Sequence, residues 1–181
     1  MIIAALTALA LVGSVPPSSE PIPDGYVPIV DATDTIVVAA PEAWTETDVS
    51  LAPTEGAGEV PRIAASPDLM SFYTSFDTPG VLFVAFPYTI NPLDYVDQFG
   101  EKMGCASMEI KEYEDPIFIG VIQIGMDCGP QHMIWNMVVA SPADEAYTAV
   151  VQVQTVDDVQ RQTVIRTFNS YDGAPTSTTG G

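Results

Sequence analysis

The chain has 181 residues, 47% of them hydrophobic, which is enough to bury one core and too few to make two domains the first expectation. Its 24 acids stand against five bases, Arg62, Lys102, Lys111, Arg161 and Arg166, for a formal charge of −19. That balance makes nucleic acid a poor partner, since gripping a phosphate backbone needs cations that displace its counterions, and it disfavours anionic membrane surfaces for the same reason.

Residues 1–15 carry an apolar run, Ile2 to Val15, too short to cross a bilayer of about 30 Å as a helix. It reads as the apolar region of an export signal, although the basic residues that ordinarily precede one are missing, as they would be from a misplaced start or a trimmed gene. Leu11-Val12-Gly13-Ser14 resembles a lipoprotein box with Ser14 where the lipid-bearing cysteine belongs, so no lipid anchor is expected. Residues 16–24 follow as a Pro- and Ser-rich linker, which proline keeps out of helices and central strands. A single domain is expected over residues 25–171, and the Thr-, Ser- and Gly-rich residues 172–181 read as a disordered tail.

Within the domain, Tyr26–Val30 and Thr35–Ala40 read as strands joined by an Asp-rich turn, and the second runs into Pro41-Glu42-Ala43-Trp44. Thr45 to Pro61 is acidic, rich in turn residues and expected as a long surface loop, with a brief strand at Arg62–Ala65. Ser66-Pro67-Asp68 predicts a helix start, serine as N-cap and proline in the first turn, with Leu69, Phe72, Tyr73 and Phe76 on one apolar face. Val81 to Phe86 is apolar on both parities, the pattern of a central strand covered on both sides. Asn91-Pro92-Leu93-Asp94 starts a second helix, with Leu93, Val96 and Phe99 inward and Gly100 ending it.

Met108–Tyr113, Ile117–Met126, Met133–Ala140 and Tyr147–Val153 read as further strands. The connectors within the last three are too short for crossover helices, so an antiparallel meander is expected. In Tyr147–Val153, Thr148, Gln152 and Gln154 suggest a wetter face. A closing helix is expected over about 157–169 on Val159, Val164, Ile165 and Phe168. The fold class is therefore α+β: an antiparallel sheet of about six to seven strands packed against two or three short helices.

This order of elements, opening with Thr35-Ile36-Val37-Val38-Ala39-Ala40-Pro41-Glu42-Ala43-Trp44, resembles the PsbP-like superfamily, which shares its fold with a Ran-binding nuclear import factor. It is most similar to exported actinobacterial domains of that fold, over roughly residues 26 to 169. The resemblance implies a PsbP-like sandwich that works by binding proteins or supporting an assembly, without catalysis.

The residues that carry chemistry point the same way. Cys105 and Cys128 are expected to form a disulfide, with Cys105 just before a strand and Cys128 in a hairpin loop; a metal site would need more thiols, and a redox pair is more often C-x-x-C. Such a bridge suits an exported chain. His132 is the only histidine and is expected in a loop or at a strand edge. Glu112, Glu114 and Asp115 are the carboxylates that a glycosidase reading would use. Glu42, Glu46, Asp48, Glu55 and Glu59 are those that a calcium reading would use, yet no turn glycine is interleaved at calcium-loop spacing, and acid excess first serves solubility. Trp44 and Trp135 are expected in the core, as are Met103, Met108, Met126, Met133 and Met137, an exposed subset of which would mark a partner groove. No nucleotide, zinc-protease or serine-elbow motif occurs.

The expectation is thus a secreted or cell-envelope binding or assembly-support module, monomeric, with a protein partner, no catalytic residues, no cofactor, no metal and no membrane contact beyond the export segment. An acidic-loop calcium domain and a hydrolase of unrecognised type are the alternatives.

Overall fold

A computed structural model describes residues 22–54, 58–75, 77–87, 89–100 and 104–170. The expected export segment, most of the linker, the tail, Glu55, Phe76, Lys102 and Met103 lie outside them. In chain order the elements are β1 (Tyr26–Val30), β2 (Ile36–Pro41), β3 (Glu46–Asp48), β4 (Ala52–Thr54), β5 (Gly58–Val60), β6 (Arg62–Ser66), α1 (Leu69–Thr74), β7 (Gly80–Phe86), α2 (Pro92–Gly100), β8 (Cys105–Glu114), β9 (Phe118–Cys128), β10 (Met133–Pro142), β11 (Thr148–Thr155), α3 (Asp158–Thr167) and β12 (Asn169–Ser170).

The α+β class holds. A seven-stranded sheet runs in the order β3-β6-β7-β11-β10-β9-β8, β1, β2 and β12 make a smaller sheet, and β4 pairs with β5. Each pairing in the large sheet is antiparallel, as the short connectors from β8 to β11 require of that meander. The turn between β1 and β2 closes on buried Asp31, whose carboxylate accepts from the backbone N–H of Thr33, Thr35 and Ile36 and from the Thr33 hydroxyl. Burial pushes its pKa up, and the bonds from Thr33, Ile36 and Thr35 outweigh burial and hold it below the usual 3.8.

The central strands of the large sheet are covered on both faces. On one face Val38, Trp44, Phe83, Phe118, Val138, Val151 and Phe168 form the main core, where the small sheet and α3 close over it. Phe118 and Phe168 meet at 4.9 Å between ring centroids. On the other face α2 seats Val96 against Trp135, Met137, Val139 and Val150. Trp44 and Trp135 are thus both in the core.

Several local readings need correction. The stretch Thr45–Pro61 is not one loop: it contributes β3 to the edge of the large sheet and the β4–β5 ribbon, because main-chain ladders form without apolar side chains where only the backbone is used. Ser66 ends β6 instead of capping α1; its hydroxyl donates to the Pro79 carbonyl, and the cap is Asp68, whose carboxylate accepts from the Ser71 N–H at 2.9 Å. In α1 only Phe72 is buried and Tyr73 is exposed. In α2 Val96 is buried and Phe99 half-buried, but Leu93 is 52% exposed. In α3 Val159 is 71% exposed, and Thr163 joins Val164 and Ile165 inside. On β11 the polar face is covered: Thr148 and Gln154 are buried, and the Gln154 amide donates to the carbonyls of Ser75 and Thr78.

Candidate functional site

One long edge of the large sheet is open. β8 pairs only with β9, in continuous register from Ser107 opposite Met126 to Glu114 opposite Ile119, and no described strand lies on its other side. The opposite edge is the three-residue β3. Every residue from Ala106 to Glu112 is exposed and, among the described residues, no strand pairs with its outer side, so both faces of this stretch are open to a partner. An unpaired strand of this length is a template for another strand.

The edge is held at both ends. Cys105 opens β8 and Cys128 closes β9, directly opposite each other with Cα atoms 3.9 Å apart, and their sulfurs are bonded. The expected disulfide is present, with both cysteines inside strands rather than outside them. It passes over Gly125, where a Cβ would stand 2.6 Å from the Cys105 Sγ and 2.8 Å from the Met108 Sδ; only a residue without a side chain leaves that space. At the far end Asp115 makes the turn. Its Oδ1 accepts from the N–H of Ile117 and Phe118 at 2.7 Å each, and its Oδ2 accepts from the Tyr113 hydroxyl at 2.7 Å. The Tyr113 ring stacks on Phe168. Burial pushes the Tyr113 phenol pKa well above 10, and the hydrogen bond to Asp115 and the charge of Asp115 push it the same way.

Apolar side chains collect beside this edge. Met108 (37% exposed), Ile110 (39%), Ile119 (60%) and Leu93 are all open to water. Ile110, Glu112 and Glu114 share the sheet face on which α2 packs, since Ile110 stands opposite Gln123, Glu112 opposite Val121 and Glu114 opposite Ile119. An open groove of about 610 Å³ lies there, with Leu93, Ile110, Ile119 and Val121 as its apolar lining and Glu112 and Glu114 as its acidic one. On the other face Lys111 pairs with Glu109 at 3.0 Å, an exposed contact of little energetic weight.

The other residues of chemical interest are dispersed. His132 sits exposed in the β9–β10 turn with Nδ1 against the Asp127 Oδ1, both residues at positive φ, and its neighbour Cys128 is bridged. Asp115 is engaged in its turn, so Glu112, Glu114 and Asp115 divide between a groove and a structural role. Glu46 accepts from the Leu69 N–H, and Asp48 is held by Ser50 and Arg62. Among the described residues no group of three His, Cys, Asp or Glu side chains is placed to hold a metal ion. Met133 and Met137 are core, while Met108 and Met126 are the exposed subset. No helix among the described residues is long and apolar enough to cross a membrane.

Sequence reasoning found β8 as a strand and missed that it is an edge. The signal was there: charge on both parities, Glu109 and Lys111 on one and Glu112 and Glu114 on the other, marks a strand with no buried face. No protein-family model matches the chain, and no curated protein matches it.

Proposed function

We propose that the chain is a non-catalytic, extracytoplasmic binding module that takes a protein partner along β8. The observation that carries this reading is a ten-residue edge strand, exposed on both faces from Ala106 to Glu112 and clamped at both ends by the Cys105–Cys128 bond and the Asp115 turn. A strand already fixed in extended form loses little conformational entropy when another strand adds to it, and its backbone groups supply the hydrogen bonds. The adjoining open groove offers apolar surface at Leu93, Ile110 and Ile119 to side chains of the incoming segment. The bridge suits an oxidising compartment, and the apolar run Ile2 to Val15 supplies a route to one. The resemblance to PsbP-like domains, which act by binding, agrees with this reading.

The test is a photo-crosslinking residue placed at Ile110 in the full chain, expressed where the protein is exported. A protein adduct from position 110, with none from the same label at Asp34 in the β1–β2 turn, is the expected result. Equal or absent adducts at the two positions would overturn the proposal.

A further inference from the structure

We infer that the partner on β8 is a second copy of this chain, added antiparallel about a two-fold axis at Ile110. The inference rests on the reading of β8 as a docking edge and names its occupant, in place of the expected monomer.

The argument is one of register and charge. A two-fold axis perpendicular to a sheet must pass between a residue and its own copy, because neighbouring residues point to opposite faces. Each residue of β8 therefore defines one possible register. With the axis at Glu109, Lys111 or Glu112, like charges stand directly opposite each other. With the axis at Ile110, Glu109 faces the partner's Lys111 and Lys111 faces the partner's Glu109, while Ile110 faces the partner's Ile110. Among axes through the residues of β8, Ile110 alone sets opposite charges directly across, since Lys111 is the strand's one base and its acids are Glu109, Glu112 and Glu114. Opposite charges across a ladder stabilise it and like charges destabilise it.

The remaining pairs in this register are compatible. Met108 meets the partner's Glu112, Ser107 meets the partner's Tyr113, and Ala106 meets the partner's Glu114. Residues 105–114 contain no proline, and the irregularity in this part of the sheet lies between β9 and β10, leaving the outer edge of β8 regular. On the α2 side, Ile110 beside the partner's Ile110 brings the apolar side chains of the two grooves together at the axis, with Glu112 and Glu114 toward the outer ends, and covers isoleucines that are otherwise open to water. The net charge of −19 on each copy opposes association, so pairing strengthens as salt screens the long-range repulsion.

The experiment is sedimentation velocity of the full chain and three variants at about 0.15 M salt. The unaltered chain and the double exchange Glu109→Lys with Lys111→Glu are expected to dimerise, since the exchange restores opposite charges across the axis. Lys111→Glu and Glu109→Lys alone are expected to weaken the dimer about tenfold or more. Circular dichroism of each variant reports folding separately. A monomer at every concentration in the unaltered chain, or single variants that dimerise as well as the double exchange, would overturn the inference. The photo-adduct from Ile110 separates the two claims: an adduct joining this chain to a different protein removes the second copy and leaves the docking edge, whereas no adduct removes both.

Discussion

Gly125 shows how one missing side chain sets the site. The Cys105–Cys128 bond and Met108 occupy the space that a Cβ would fill, so Gly125→Ala must displace a sulfur or the strand beneath it. We expect a loss of about 1–3 kcal/mol in urea unfolding. Replacing both cysteines by serine removes a covalent link spanning 23 positions of sequence and is expected to cost roughly 3 kcal/mol on the chain-entropy view. In the serine background the cost of Gly125→Ala should shrink, because the bonded sulfurs give way to smaller, unlinked hydroxyls while only the Met108 sulfur still crowds the site; equal costs in both backgrounds would contradict the contact. Asp31 gives a signature in acid. Its folded pKa lies below 3.8, so its stabilising contribution is present above the unfolded value and is lost as pH falls through the folded one. Asp31→Asn should flatten the stability curve below about pH 4. Tyr113 gives the opposite sign: its folded pKa is raised, so its contribution is intact below about pH 10 and declines as pH climbs beyond it. Tyr113→Phe keeps the ring stack on Phe168 and should remove that alkaline decline, as read by unfolding midpoints between about pH 9 and 11.

Helix α3 depends on its first turn. The Asp157 carboxylate accepts from the N–H of Val159 and Gln160, and Asp157→Ala is expected to cost about 1 kcal/mol, measured by chemical denaturation. Strands β1, β2, β6, β7 and the meander β9–β11, and α2 with its Asn91-Pro92 start, were legible because their signals are local: alternation, short connectors, caps and a terminal glycine. The same local rules failed where neighbours decide. Ser66 is a sound cap in isolation, but the Pro79 carbonyl claims its hydroxyl. Gln154 reads as a wet position, yet the chain around Ser75–Thr78 comes over it and takes its amide. Glu46–Asp48 carries no strand pattern and becomes one because β6 offers it a free ladder. The candidate site was half legible. The cysteine pair could be read from count and compartment, while the openness of β8 depended on the sheet order, which no stretch of sequence states by itself.

Over the described residues, the molecule is a large sheet sealed on both faces across its centre, short on one edge at β3, and left open along its other edge at β8. Its strong negative charge keeps copies apart at long range, while the short-range pattern of Glu109, Ile110 and Lys111 is complementary to itself. These two effects have different salt dependences, so association should rise from low to moderate ionic strength instead of falling, and light scattering across that range would register the sign. The most direct measurement is residue-resolved amide exchange on the full chain as its concentration is raised. Alternate amides of residues 106–114, those pointing away from β9, are predicted to pass from free exchange to protection together, while the amides bonded to β9 stay protected throughout. Free exchange of the outward amides at every concentration would contradict the account.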